Sequence, residues 1–533
     1  MQNKRFSLSF PVSLLALVAT ASLVACGGGG NTDGGPPAAV AVGDAVAITT
    51  TGRVISFNRA TPGTLVSNLP VRGLGNGERL IGIDVRPANN TLYAVSSLGG
   101  IFTLDASTGT LTPAALLSVA LQGSSFGVDF NPMADRLRLV GNTGQNLRVD
   151  VTTGVATVDG TVNGAPASIS ASAYTNAFDG TTSTQLYNLD AAAGTLFLQD
   201  PPNHGTQAGP VPLGLTFDSA NGFDIDARNN RGYAAVTVGG ANRLYTVPLS
   251  GTTGATLVGA IGITDTISGL ALVQPATPRA YALTDDGRLA AFSPSAPNTL
   301  TGNVAITGLA AGETVLGIDF RPANARLYAL TSAGRLLTVD PDTGVAGAAV
   351  TLAADPADTT LPYAGLAGTS FSVDFNPVAD RLRVIGSTGQ NLRINVDTGA
   401  TTTDGVINRG VTPTSVLAGA YTNSFAGSTA TVLYDVEGNG NVLAQQNPPN
   451  DGTLVDVGPL GFALGGRAAL DIAGGANGLV LAALRNGGTG PFSLYTVSLT
   501  TGAATPYRNT AAASLSFIGG AGGPAVKDVA IRF

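Results

Sequence analysis

Short apolar runs of four to seven residues, separated by turns rich in Gly, Pro, Asn and Asp, recur along almost the whole 533-residue chain. A typical unit reads GVDF, a Pro/Asn/Asp turn, RLRLV, a Gly-containing turn, NLRVD, a Thr-Gly turn and a weaker fourth run. The runs are rich in Val, Leu, Ile, Phe, Tyr and Thr, the side chains that suit a pleated, half-buried surface. No long apolar pattern of helical period interrupts them. Ile81, Phe126, Ala173, Phe223 and Ile267 open units in the first half; Leu316, Phe371, Ala420 and Ala468 do so in the second. Four antiparallel strands per unit, tandemly repeated, predict an all-β chain built as a β-propeller of about ten four-stranded blades.

A longer period overlies the short one. Residues 124–148, SSFGVDFNPMADRLRLVGNTGQNLR, return 245 positions later as TSFSVDFNPVADRLRVIGSTGQNLR, with 19 of 25 positions identical. Residues 81–109 match 316–344, and 173–206 match 420–453. The chain is therefore a duplication, with halves at about 44–275 and 279–533. It enters its first unit at a second strand, AVAITTTGRVISF from Ala45, and finishes on a lone first strand, VKDVAIRF. The first half likewise ends on ISGLALV, 267–273. A terminal strand that completes an opening blade removes exposed sheet edges. Two closures are compatible with these ends: two five-bladed propellers, or one continuous ten-bladed ring across the short link from Gln274 to Arg279.

The GIDFRPAN…LYAL and VDFNPxADRLRVIGxTGQNLR motifs resemble a widespread bacterial family of secreted, propeller-like domains whose function is unknown. The resemblance covers nearly the whole chain, twice. It implies a fold and export from the cytoplasm, and it brings no catalytic residues.

The first residues carry a different signal. Lys4 and Arg5 precede an apolar run that ends Leu23-Val24-Ala25-Cys26-Gly27. This resembles the lipobox of bacterial lipoproteins, which implies a signal peptide over 1–25 and lipidation of Cys26. Glycine after the cysteine resembles the outer-membrane-sorted class. Residues 26–43 then read as a Gly/Pro-rich tether. Cys26 is the sole cysteine, so no thiol remains for disulfides or metal ligation. The expected address is the cell envelope, with a membrane partner met through the lipid alone.

Without Lys4 and Arg5, 25 basic residues face 34 acidic ones, a formal charge of −9. That excludes the basic stripe nucleic-acid binding requires. The glycines form no phosphate-binding loop, so no nucleotide is expected. The single histidine, His204, sits in Pro-Pro-Asn-His-Gly and is matched by Asp451 in the second half, which reads as turn chemistry. No GxSxG elbow frames a serine, and a Cys/His metal site is excluded by count. No cofactor, metal or catalytic constellation is expected.

What remains is carboxylate, amide and guanidinium. Asp129, Asn131, Asp135, Arg136, Arg138 and Arg148 form one cluster, with Asp374, Asn376, Asp380, Arg381, Arg383 and Arg393 as its twin. One expectation is structural: Asp135 caps the turn and the arginines pair with Asp129 or Asp150 across a blade seam. The other is a ligand site at the mouth of the central channel, where Arg and Asn hold a carboxylate, phosphate or sugar hydroxyl. Tyr93, Tyr187, Tyr328 and Tyr434 recur at one second-strand position and read as core or seam residues. The leading expectation is a lipid-anchored, non-enzymatic binding or scaffolding module with a protein or glycan partner. The alternative is a hydrolase or lyase acting on glycans through a carboxylate pair, Asp129 with Asp84 or Asp226.

Overall fold

A computed structural model describes residues 37–163, 168–218, 221–273, 277–411, 414–474, 477–507 and 516–533. The expected signal peptide, Cys26 and most of the expected tether lie outside the described residues. From Val40 to Phe533 the chain forms one compact unit.

Its strands are arranged as ten sheets of four antiparallel strands, one of which carries an extra short strand at its edge. In the first half, four blades are continuous in sequence, spanning 80–116, 126–158, 169–212 and 221–260. The fifth is composite: Ile267–Leu272 pairs with Ala45–Thr49, in the register Ala47 opposite Leu270, and completes the sheet begun by the chain entry. In the second half the continuous blades span 315–351, 371–403, 416–459 and 464–506. There Val526–Arg532 pairs with Arg279–Thr284. Each half thus closes on its own opening strand. The first strands pack in two cycles of five, and a ten-membered ring would require pairings across the halves that do not occur.

The turn between first and second strands explains why the DFNPxADR motif repeats. The amide of Asp135 donates to the Asn131 carbonyl at 2.9 Å, and Asp380 does the same to Asn376. This five-residue loop needs a left-handed last residue, and Asn90, Asp135, Asn230, Ala325 and Asp380 all have φ between 51° and 54°. Asx residues adopt that conformation most readily among non-glycines. The cap itself comes from Asn131, whose Oδ1 accepts from the Met133 and Ala134 amides.

Blade faces pack against neighbouring blades. Ile81, Tyr93 and Val95 of one blade meet Phe126, Val128, Phe130, Leu137 and Leu139 of the next. Tyr93 stands edge-on to Phe130 at 5.4 Å, and Tyr328 to Phe375 at 5.3 Å, so these two tyrosines are seam residues. Close to the axis the strands need small side chains: a Cβ at Gly82 would lie 2.2 Å from Val128, and one at Gly127 would lie 2.0 Å from Ser172 Oγ. Where the halves meet, one apolar cluster joins Phe178 and Ala227 of the first to Ala280, Leu481 and Ile531 of the second. The Asn477 amide donates to the Arg228 carbonyl at 3.0 Å across that contact.

Three sequence expectations are revised. The units opened at Ala173, Ala420 and Ala468 begin four residues earlier, at Ile169–Tyr174, Val416–Tyr421 and Leu464–Ile472. Ser170 and Ser172 hide the first of these, because small polar side chains break an apolar run without breaking the strand.

Candidate functional site

The arginine-aspartate motif forms staples between blades. Arg138 is 1% exposed. Its Nη1 donates to Asp159 Oδ2 at 2.6 Å and to Asn146 Oδ1 at 2.8 Å. Its Nε donates to the Tyr174 hydroxyl at 3.1 Å and its Nη2 to Asn203 Oδ1 at 2.7 Å, both on the following blade. Arg383 repeats the set with Asp404, Asn391, Tyr421 and Asn450. Arg148 and Arg393 close a two-pronged contact on the same Asp159 and Asp404. A buried guanidinium with every nitrogen matched is the arrangement that makes burial of the charge tolerable.

Asp135 and Asp380 do not cap their turns with their side chains. Their carboxylates instead accept from Arg86 and Arg321 of the preceding blade. Of the two arginines that start the second strand of the motif, Arg136 does reach Asp150, at 3.5 Å, from an exposed position. Arg381 donates to the Asp380 carbonyl. Asn376 caps its turn as Asn131 does, and Tyr174 and Tyr421 donate backbone amides to Asp129 and Asp374 at 2.9 Å. The pairing expected between Arg138 and Asp129 is replaced by Asp159, which the chain delivers from the start of the next inter-blade loop.

Asp129 belongs to a second arrangement. Asp84, Asp129 and Asp224, each on an innermost strand, bring carboxylate oxygens within 4.8 Å of one another near the axis; Asp319, Asp374 and Asp471 do the same in the second half. Sequence reasoning paired Asp129 with Asp84 or Asp226; the third member is Asp224, while Asp226 is held by Arg59 and Arg228. Each carboxylate tethers its neighbour: Asp84 accepts from the Phe130 amide at 2.7 Å and Asp224 from the Leu272 amide at 2.6 Å. Burial, and then the neighbouring carboxylate, push Asp84, Asp129, Asp319 and Asp374 well above the ordinary range. Burial pushes Asp224 and Asp471 up to about 7. Three oxygens at this spacing have the reach of a small hard cation's ligand set. Their hydrogen bonds, however, are already committed to stitching adjacent blades.

The channel mouth lies above these carboxylates, and it is there that the halves part. Ile81, Ser170 and Ser268 are extra residues of β-bulges in their first strands, as are Leu316, Leu417 and Lys527 in the second half. A bulge re-aims its side chain. In the first half Ser170, Asn221 and Ser268 help line a cavity of about 230 Å³, with Phe126, Ser124 and Arg79 around it. None of these except Phe126 was singled out from the sequence. The corresponding second-half positions are Leu417, Ala468 and Lys527, with Phe371, Thr369 and Thr314. His204 is exposed in a one-turn 3-10 helix, as its turn pattern suggested.

A family model described as "Domain of unknown function (DUF4394)" matches the chain twice, over residues 53–271 and 288–517. No curated protein matches it. Among solved structures, a crystal structure of a protein from Lactobacillus plantarum is 18% identical, covering 66% of this chain and 97% of that one, with a TM-score of 0.27. The structure of the Dos1 propeller is 12% identical, covering 64% and 90%, with a TM-score of 0.26.

Proposed function

The chain belongs to this family of unknown function, and from that premise we propose that it is a non-enzymatic binding or scaffolding module held at the bacterial outer membrane by a lipid on Cys26. The observation that carries the binding reading is the withdrawal of the ionisable groups from solvent. Acid–base catalysis needs a carboxylate within hydrogen-bond reach of a substrate proton. Asp84, Asp129 and Asp224 are buried on the axis and bonded to the backbone of adjacent blades. Arg138 and Arg383 spend their donors inside the seams. A glycan hydrolase or lyase using Asp129 has no open carboxylate pair to work with.

The lipobox at residues 23–27 supports the anchor. Cys26→Ser should abolish incorporation of a fatty-acid label and move the protein from the membrane fraction to the soluble one. Retention of Cys26→Ser in the membrane rejects the anchor. Release of new reducing ends from envelope glycans, lost in Asp129→Asn, rejects the non-enzymatic reading.

A further inference from the structure

The first propeller's mouth is built unlike a solvent-filled end. Asn221 is 2% exposed, and its side-chain amide donates to Ser170 Oγ at 2.8 Å and to the Asp218 carbonyl at 3.1 Å. That orientation leaves Oδ1, an acceptor only, without a protein donor. Ser268 Oγ is buried and likewise without a protein partner. Both side chains line the 230 Å³ cavity and a constriction of about 10 Å³ beneath it. Leaving a buried acceptor unmatched costs ~1–3 kcal/mol, so a group that donates to Asn221 has something to gain.

Arg79 supplies the charge. It is exposed, and its guanidinium reaches the Ser124 carbonyl at 3.5 Å with no acidic side chain at ion-pair distance among the described residues. Arg59, Arg86, Arg138, Arg148 and Arg321 are matched by carboxylates, whereas Arg79, like Arg53, Arg72 and Arg243, is not among the described residues. No acidic residue lines the cavity. A ligand ammonium would therefore exchange water for a neutral amide oxygen without a countercharge, which is unfavourable. Hydroxyls suit Asn221 and Ser268, a carboxylate suits Arg79, and Phe126 offers an apolar side to a sugar ring. The volume holds roughly seven waters, the bulk of one monosaccharide.

We infer that the mouth of the first propeller, at Arg79, Asn221 and Ser268, binds a single hydroxylated carboxylate of the hexuronic acid class. This rests on the binding-module reading and names its ligand. The second propeller's mouth does not share the site, because Ala468 and Lys527 replace Asn221 and Ser268.

The test is calorimetric titration of the detergent-solubilised full chain with D-glucuronate, D-galacturonate, glucose, acetate and serine. A hexuronate is expected to bind, with glucose and acetate each at least tenfold weaker. Arg79→Gln, at an exposed position that should not disturb folding, should weaken hexuronate at least tenfold. Ser268→Ala should weaken it severalfold, and Thr314→Ala in the second half should change nothing. Equal binding of glucose, equal binding of acetate, preference for serine, or an Arg79→Gln protein that binds normally each overturns the ligand class. Absence of hexuronate binding overturns it too, while capture of another ligand by the same protein leaves the binding-module reading standing. Hexuronate bound and a uronate-containing oligosaccharide cleaved would do the reverse.

Discussion

The two propellers of this chain share their seams and differ at their mouths. Arg138 and Arg383 make the same four kinds of contact, and Asp84/Asp129/Asp224 are mirrored by Asp319/Asp374/Asp471. At the rim the first half presents Ser170, Asn221 and Ser268, and the second presents Leu417, Ala468 and Lys527. Leu417 packs on the apolar cluster of the following blade, and Lys527 donates to the Val315 carbonyl at 2.9 Å. A seam residue has a partner on another strand, so changing it alone strands a buried polar group. A rim residue faces the cavity on one side and has fewer such partners. Seams therefore constrain both copies equally, and rims leave each copy free to specialise.

The largest expected effect tests that equality. Arg138→Met and Arg383→Met each take the buried guanidinium from a buried carboxylate, Asp159 or Asp404, which keeps only its partly exposed partner Arg148 or Arg393, and leave the buried Asn146 or Asn391 oxygen without its donor. Each should cost ~3–5 kcal/mol, the loss on removing one member of a buried pair, read from the denaturant midpoint. A variant of one half that costs far less than its twin would break the claim that the seams are equivalent.

A smaller effect sharpens an interior difference between the halves. In the first, Ser172 donates to Asn188, and Asn188 donates to Gln199 at 2.6 Å. In the second, Gly419, Asp435 and Gln446 occupy those places, and both oxygens of buried Asp435 and Oε1 of Gln446 lack partners. Burial pushes Asp435 up to about 8. A proton there supplies the donor that the Asn188 amide supplies in the twin. Asp435→Asn should therefore stabilise the protein at pH 8.5 by ~2 kcal/mol, roughly the desolvation penalty of an unmatched group, with little gain at pH 5. Equal effects at both pH values would refute a protonated Asp435.

The same carboxyls set the direction of the pH dependence. A group whose pKa is raised by folding holds its proton more tightly in the folded chain. Its contribution is complete below the unfolded value near ~4 and is lost as pH rises through about 7 for Asp224 and Asp471 and about 8 for Asp435. Glu313 acts oppositely: hydrogen bonding from Arg335 holds it down to about 2, so its contribution is lost only as pH falls towards that value. The melting temperature should therefore be higher at pH 5 than at pH 8.5. A rise from pH 5 to 8.5 would contradict the axial carboxyl chemistry.

The smallest effect marks where the seams end. Arg136 is exposed and meets Asp150 at 3.5 Å. Arg136→Ala should change stability by less than ~0.5 kcal/mol, as exposed ion pairs do. A loss near that of Arg138→Met would mean that the strand-start arginines are seam residues after all.

Much of the architecture was legible because it depends on local pattern. The alternation in VDFNP and RLRLV, the Asx turn between them and the lone terminal strands at 267–273 and 526–533 each carry their own physical reason. The partners of Arg138 were not legible. Asp159 lies 21 residues onward and Asn203 lies 65 onward, each on a loop whose position depends on blade stacking. Asp224 and Asp226 lie two residues apart on one face of one strand, so only the placement of the axis selects between them.

By itself, then, the amino-acid order determined strands, turns, blade repeat and duplication, since propensity and periodicity act over a few residues at a time. Tertiary structure alone decided three things: that each half closes on itself, that three distant aspartates meet on one axis, and that Ser170, Asn221 and Ser268 share a cavity. Those juxtapositions arise when strands far apart in the sequence are brought around a common centre. Sequence adjacency carries no information about which side chains then face one another.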